Sequence, residues 1–69
     1  MTQCEAIKQY MQLTGGITPA EAMEEIGCYR LAARISDLRD QGVEICDKWV
    51  KKTNRFGKVV RFKRYSIEQ

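Results

Sequence analysis

Gly27 is the residue that most narrows what this chain can become. Upstream, Ile17-Thr18-Pro19-Ala20-Glu21 is composed as a helix start. Thr18 is the N-cap, Pro19 takes the first helical position where a missing N–H costs nothing, and Glu21 reaches back to complete a capping box. A helix begun there and stopped at Gly27 has about two turns. It presents Ala22, Met23 and Ile26 inward, with Ile17 as a staple against Ala22. A new helical pattern starts only two or three residues beyond Gly27, where Leu31, Ala32, Ile35 and Leu38 line one stripe as far as Gly42. Two helices this short and this tightly joined cannot lie side by side; they must cross steeply.

The flanks supply what such a pair needs for a core. Thr2-Gln3-Cys4-Glu5 fits a capping box, and Cys4, Ile7, Tyr10 and Met11 continue it as a helix to about Leu13, closed by Gly15-Gly16. After Gly42 the period changes. Val43-Glu44-Ile45 alternates, and the segment from Lys58 to Ile67 is rich in Val, Phe, Tyr and Ile, which predicts a β-hairpin with its tip at Asn54 to Gly57. Ile45, Trp49, Phe62, Tyr65 and Ile67 compete for its inward face, and the broken alternation near Asp47 and Phe62 predicts a bulge.

With 69 residues the chain has room for one domain, residues 1–69. A domain of that size buries only about 60% of its unfolded surface. The longest apolar runs are three residues, so no segment reads as a membrane span or signal peptide, and a cytoplasmic protein is expected. Cys4, Cys28 and Cys46 are an odd, widely spaced set with no histidine to accompany them, which reads as reduced thiols rather than a zinc site. Cys28 reads as a small buried packing residue. Without histidine, a phosphate-binding glycine loop or a metal-ligand set, no enzyme, cofactor or metal is expected.

Charge is unevenly spread. Residues 1–42 carry four basic and six acidic side chains, whereas residues 43–69 carry eight basic and three acidic. That basic third implies a polyanionic partner, or else a solvated face kept soluble by lysine. Opposite the apolar stripe of the third helix lie Arg30, Ala33, Arg34, Asp37 and Gln41, two guanidinium groups one turn apart beside a small residue. This row suits a major groove, where Arg pairs bidentately with guanine, and it equally suits a solvated helix surface. Arg39 lies off the row, as a surface arginine or the partner of an acid on a neighbouring turn. Trp49, Phe56, Phe62 and Tyr65 interleave with cations, an arrangement that fits either core packing or stacking on single-stranded nucleic acid. Phe56, at the hairpin tip, has little protein to pack against.

Three stretches, Ile17-Thr18-Pro19-Ala20-Glu21-Ala22, the run from Cys28 to Arg39, and Asn54-Arg55-Phe56-Gly57-Lys58 with the closing Arg64-Tyr65, resemble the small winged helix-turn-helix proteins encoded by bacteriophages and prophages. The resemblance implies an α+β fold of three helices followed by a C-terminal hairpin wing. It further implies sequence-specific binding of double-stranded DNA by a transcriptional regulator or recombination accessory factor in a bacterial host cell. Tyr29, Arg30, Ala33 and Arg34 then fall at groove-facing positions of the third helix. Asn54, Arg55 and Lys58 fall at the wing tip, with Lys51, Lys52 and Arg61 on the wing's arms. The segment between Gly27 and Gly42 is a residue or two shorter than in common bacterial winged helices. A homodimer is compatible with the resemblance. The rival reading is a protein-interaction module, for instance a phage-encoded inhibitor of a host protein or ribonucleoprotein, since one fold serves unrelated roles.

Overall fold

The computed structural model describes residues 2–67. Helix α1 (Gln3–Thr14) starts where Thr2 Oγ1 accepts the Glu5 amide at 3.1 Å, the hydroxyl half of the expected box, and closes at Gly15 in the left-handed region. Helix α2 (Pro19–Glu21) widens without interruption into a π-helical turn (Ala22–Ile26) that ends at left-handed Gly27. Its start is a full capping box: Thr18 Oγ1 accepts the Glu21 amide at 3.2 Å, and Glu21 Oε1 accepts the Thr18 amide at 3.0 Å. The other Glu21 oxygen accepts the Tyr10 hydroxyl at 3.0 Å, so one carboxylate both caps α2 and ties it to α1.

Helix α3 (Leu31–Asp40) begins later than the sequence reading placed it, leaving Cys28, Tyr29 and Arg30 in the turn. It ends in paired reverse bonds, Val43 N–H to the Leu38 carbonyl and Gly42 N–H to that of Arg39. The arrangement needs a left-handed residue at Gly42, whose φ is +92°, and it brings Val43 back onto the core. Strands β1 (Ile45–Thr53) and β2 (Val59–Ile67) pair antiparallel from Ile45↔Ile67 to Thr53↔Val59 in one continuous register. The expected bulge is therefore absent. What breaks the alternation of burial is that only the base of the hairpin reaches the core.

Ile17 adds a strand fragment that the sequence did not announce. Its amide and carbonyl exchange hydrogen bonds with Tyr65 at 2.8 and 2.9 Å, so β2 lies between Ile17 and β1. One residue is too short to show a period-two pattern, hence its reading as a staple alone. The core comprises Ile7, Met11, Ile17, Ala22, Cys28, Leu31, Ile35, Leu38, Ile45 and Tyr65. Two residues expected inside lie outside: Met23 is exposed because Ala22 and Ile26, one turn apart, take the core side, and Ala32 is exposed as well. Of the hairpin candidates Ile45 and Tyr65 are buried, Ile67 and Phe62 are half-buried, and Trp49 is 68% exposed. Tyr10 packs against the core, and its hydroxyl pKa lies above the ordinary 10.0, through desolvation first and then its bond to the Glu21 carboxylate.

Candidate nucleic-acid interface

The register of α3 decides which residues it can offer. Leu31, Ile35 and Leu38, at i, i+4 and i+7, fix the buried stripe, and the flank position between them is i+3, which is Arg34. Arg34 accordingly runs its stem along the apolar edge, its Nε is buried, and its Nη2 meets Asp37 Oδ2 at 3.2 Å. Ala32 and Ser36 turn outward instead, and Ala33 is half-buried. The first half of the helix therefore shows solvent the small residues Ala32 and Ser36, led by exposed Tyr29 and Arg30 from the preceding turn, and the same face ends in exposed Arg39 and Asp40. Arg30 is the N-cap residue, outside the first helical turn, so it and Arg34 occupy different environments: one in solvent, the other half-sunk beside a carboxylate. Sequence spacing alone puts Ala32 beside Leu31 on the apolar stripe, which hides Ala32 and Ser36 as an outward pair. Weighting Leu and Ile above Ala would have found the correct register.

Arg39 is the ion-pair arginine the sequence suggested, but its partner comes from the sheet. Its Nη2 donates to the Ile45 carbonyl at 2.9 Å and lies 3.6 Å from Asp47 Oδ2, an oxygen shared with Lys63 Nζ at 3.6 Å. These contacts clamp the C-terminal half of α3 to the base of the hairpin. They also identify the sheet face turned toward α3, which by strand alternation carries Asp47, Trp49 and Lys51 from β1 with Tyr65, Lys63 and Arg61 from β2. Lys63 Nζ sits 5.2 Å from the Trp49 ring centroid, a cation–π contact that holds both side chains on that face.

Beyond this base every charged residue of the hairpin is a cation, with Phe56, Val59 and Val60 exposed among them. From Ile45 to Ile67 the chain has eight basic residues and one acidic, Asp47, which already serves Arg39 and Lys63. Lys51 stands directly opposite Arg61, and Lys48 directly opposite Arg64, on the two faces of the sheet. Like charges so placed repel and weaken a hairpin. Arg64 is partly absorbed by the fold, since its guanidinium lies over Gly16, where an added Cβ would come within 2.5 Å of Arg64 Cζ. Lys51, Arg61 and Lys52 are exposed along the arms.

At the tip, Asn54 is a turn builder. Its Oδ1 accepts the Phe56 and Lys58 amides at 2.9 and 3.1 Å, leaving only its amide nitrogen for another partner. Arg55, Phe56 and Lys58 are exposed around it. The residues predicted from sequence thus fall into two sets: Tyr29, Arg30, Ala33 and Arg34 at the leading edge of α3, and Lys51, Lys52, Asn54, Arg55, Lys58 and Arg61 on the distal hairpin. Among the described residues there is no pocket. No helix among them is long and apolar enough to cross a membrane.

Comparison with known proteins gives one finding. A family model described as a winged helix-turn-helix domain matches residues 2–69. No curated protein and no solved structure matches the chain.

Proposed function

Because the chain belongs to the winged helix-turn-helix domain family, whose architecture points to DNA binding, we propose that it binds double-stranded DNA sequence-specifically. The hairpin contacts phosphates, and the leading edge of α3 enters the major groove. The observation that carries this reading is the distal hairpin itself, where directly opposed Lys51 and Arg61 cost the fold stability and are relieved by an anion placed between them. Arg30 is the side chain for bidentate contact with a guanine edge, and Ala32, Ala33 and Ser36 are small enough to let the helix approach the groove closely. Arg34 exchanges Asp37 for DNA only on contact. Backbone positioning belongs to Lys51, Lys52, Arg55, Lys58 and Arg61. The biological role we assign is that of a transcriptional regulator or recombination accessory factor of a bacteriophage or prophage, acting in the host cytoplasm; its support is the sequence resemblance.

Selection of bound duplexes from a random pool tests the reading. A short enriched consensus is expected, and a palindromic one adds a homodimer. In that consensus Arg30→Ala relaxes preference at one base pair by about 1–3 kcal/mol, while Lys58→Ala weakens all sequences alike. Enrichment of no sequence refutes specificity. Absence of duplex binding, with a host protein recovered in stoichiometric amount after nuclease treatment, refutes the reading in favour of a protein-interaction module.

A further inference from the structure

Phe56 is 81% exposed in the turn that closes the hairpin, and it takes no part in the core. Such a ring on a loose loop tip means little; this tip is tied by hydrogen bonds. Four hydrogen bonds hold it: the Phe56 and Lys58 backbone amides donate to Asn54 Oδ1, the Asn54 backbone amide to the Lys58 carbonyl at 2.8 Å, and the Gly57 amide to the Asn54 carbonyl at 3.0 Å. Gly57, at φ +77°, supplies the left-handed residue that closes the turn. With its backbone held, Phe56 has only two side-chain torsions to order on contact, so placing it against a partner carries a small entropic cost. Arg55 and Lys58 flank the ring, and Lys51, Lys52 and Arg61 follow on the arms, with no acidic residue from Lys48 to Ile67.

From this juxtaposition we infer that the hairpin tip is a wedge that bends DNA. Phe56 enters between stacked base pairs from the minor groove, and the cations on either side bind the two phosphate backbones that the kink draws toward the arms. The inference rests on the duplex-binding reading and adds to it a deformation of the DNA. Phe56 is the one aromatic ring at the tip, with exposed Val59 and Val60 behind it on β2 and cations on either side; this fits a single opened base step, because partial unstacking needs a wedge of about one ring, and the flanking charge then recovers contacts along the bent backbone. A lipid surface takes a broad apolar helix face, wider than Phe56 with Val59 and Val60 behind it. Kinking is cheapest at flexible pyrimidine–purine steps, so the wedge also supplies sequence preference at base pairs that α3 never touches.

The test uses the full chain and an end-labelled duplex of about 30 base pairs centred on a TA step, bend being read by energy transfer between the ends. Wild-type protein is expected to bend the duplex by roughly 20–90°. Phe56→Ala should bind within about tenfold of wild type yet lose most of that bend, while Phe56→Leu, an apolar wedge of smaller size, keeps a measurable part. Replacing the TA step by an A-tract should weaken wild type and leave Phe56→Ala unchanged. Thermal melting reports whether the variants are folded, which the exposure of Phe56 predicts. Duplex binding without bending, or a bend unaltered in Phe56→Ala, overturns the wedge and leaves DNA binding intact. Tighter binding to single strands, or Phe56-dependent binding to anionic vesicles without a duplex bend, also overturns it. Failure of wild type to bind any duplex overturns the parent reading instead.

Discussion

If the hairpin holds cations opposite one another because a polyanion will separate them, removing one such pair should make the free protein more stable and the complex weaker. Lys51 and Arg61 are the pair to change, since both are exposed and lie beyond the core, whereas Arg64 of the other pair is partly engaged over Gly16. Two charges about 7 Å apart repel by about 0.6 kcal/mol in water, falling to about 0.25 kcal/mol once screened at physiological ionic strength. Threonine at both positions removes this and adds a favourable cross-strand pair on good strand formers. The double variant Lys51→Thr/Arg61→Thr should therefore gain roughly 0.3–0.8 kcal/mol. In a domain of this size that raises Tm by about 2–6 °C.

The complex responds in the opposite direction. Removing one cation from a phosphate flattens the dependence of log affinity on log salt by about 0.9, so the double variant should show a slope shallower by about 1.8. Between about 50 and 200 mM salt, wild type then loses about tenfold more affinity than the variant. Thermal melting and fluorescence anisotropy with one duplex at four salt concentrations measure both halves. A lower Tm in the variant refutes the repulsion, and an unchanged salt slope refutes the assignment of these cations to phosphates.

Three further outcomes follow from the side-chain interactions. Gly16→Ala forces the Arg64 guanidinium off its seat beside the C-terminal end of α1, where a cation is worth about 0.3–1 kcal/mol. Because the guanidinium is the far end of a flexible side chain and Gly16 has no positive φ, melting should show a loss of at most that size, and in an Arg64→Ala background the same substitution should be neutral or slightly stabilising. Asp47→Asn releases both Arg39 and Lys63; these are part-exposed pairs, so urea titration should show a loss of only about 0.5–1 kcal/mol, shrinking in high salt, while the salt slope for DNA steepens. Tyr10 has its hydroxyl pKa raised above 10.0 in the native state, which favours the neutral form on folding. The sign is that its contribution is complete below pH 10.0 and is lost as pH climbs through the raised native value. Stability should fall in that alkaline window by urea titration, and Tyr10→Phe should remove that part of the fall.

The fold was more legible than the interface for a physical reason. Helix ends are dictated by local rules: Thr18-Pro19-Ala20-Glu21 forms the box its composition requires, and Gly15, Gly27, Gly42 and Gly57 all sit at positive φ where chain direction changes. Ile17's bridge to Tyr65 escaped because a single paired residue leaves no period to read. The interface depends on finer information. Whether Arg34 faces solvent or lies along the core edge turns on one position of helical register, and Ala32 is too small and too neutral to declare which side of the stripe it belongs to. Arg39 shows the same gap from the tertiary side, since its acid is eight residues on and across an element boundary, out of reach of any helical spacing rule. In the hairpin, by contrast, composition sufficed, because an arm beyond the core exposes nearly all it carries, and its cations needed no register to be counted. The consequence is a division along the molecule: the cations of the arm are counted from covalent sequence alone, whereas the availability of Arg34 depends on its pair with Asp37; under the proposed duplex-binding reading, Asp37→Ala, by freeing that guanidinium, should give tighter duplex binding in an anisotropy titration.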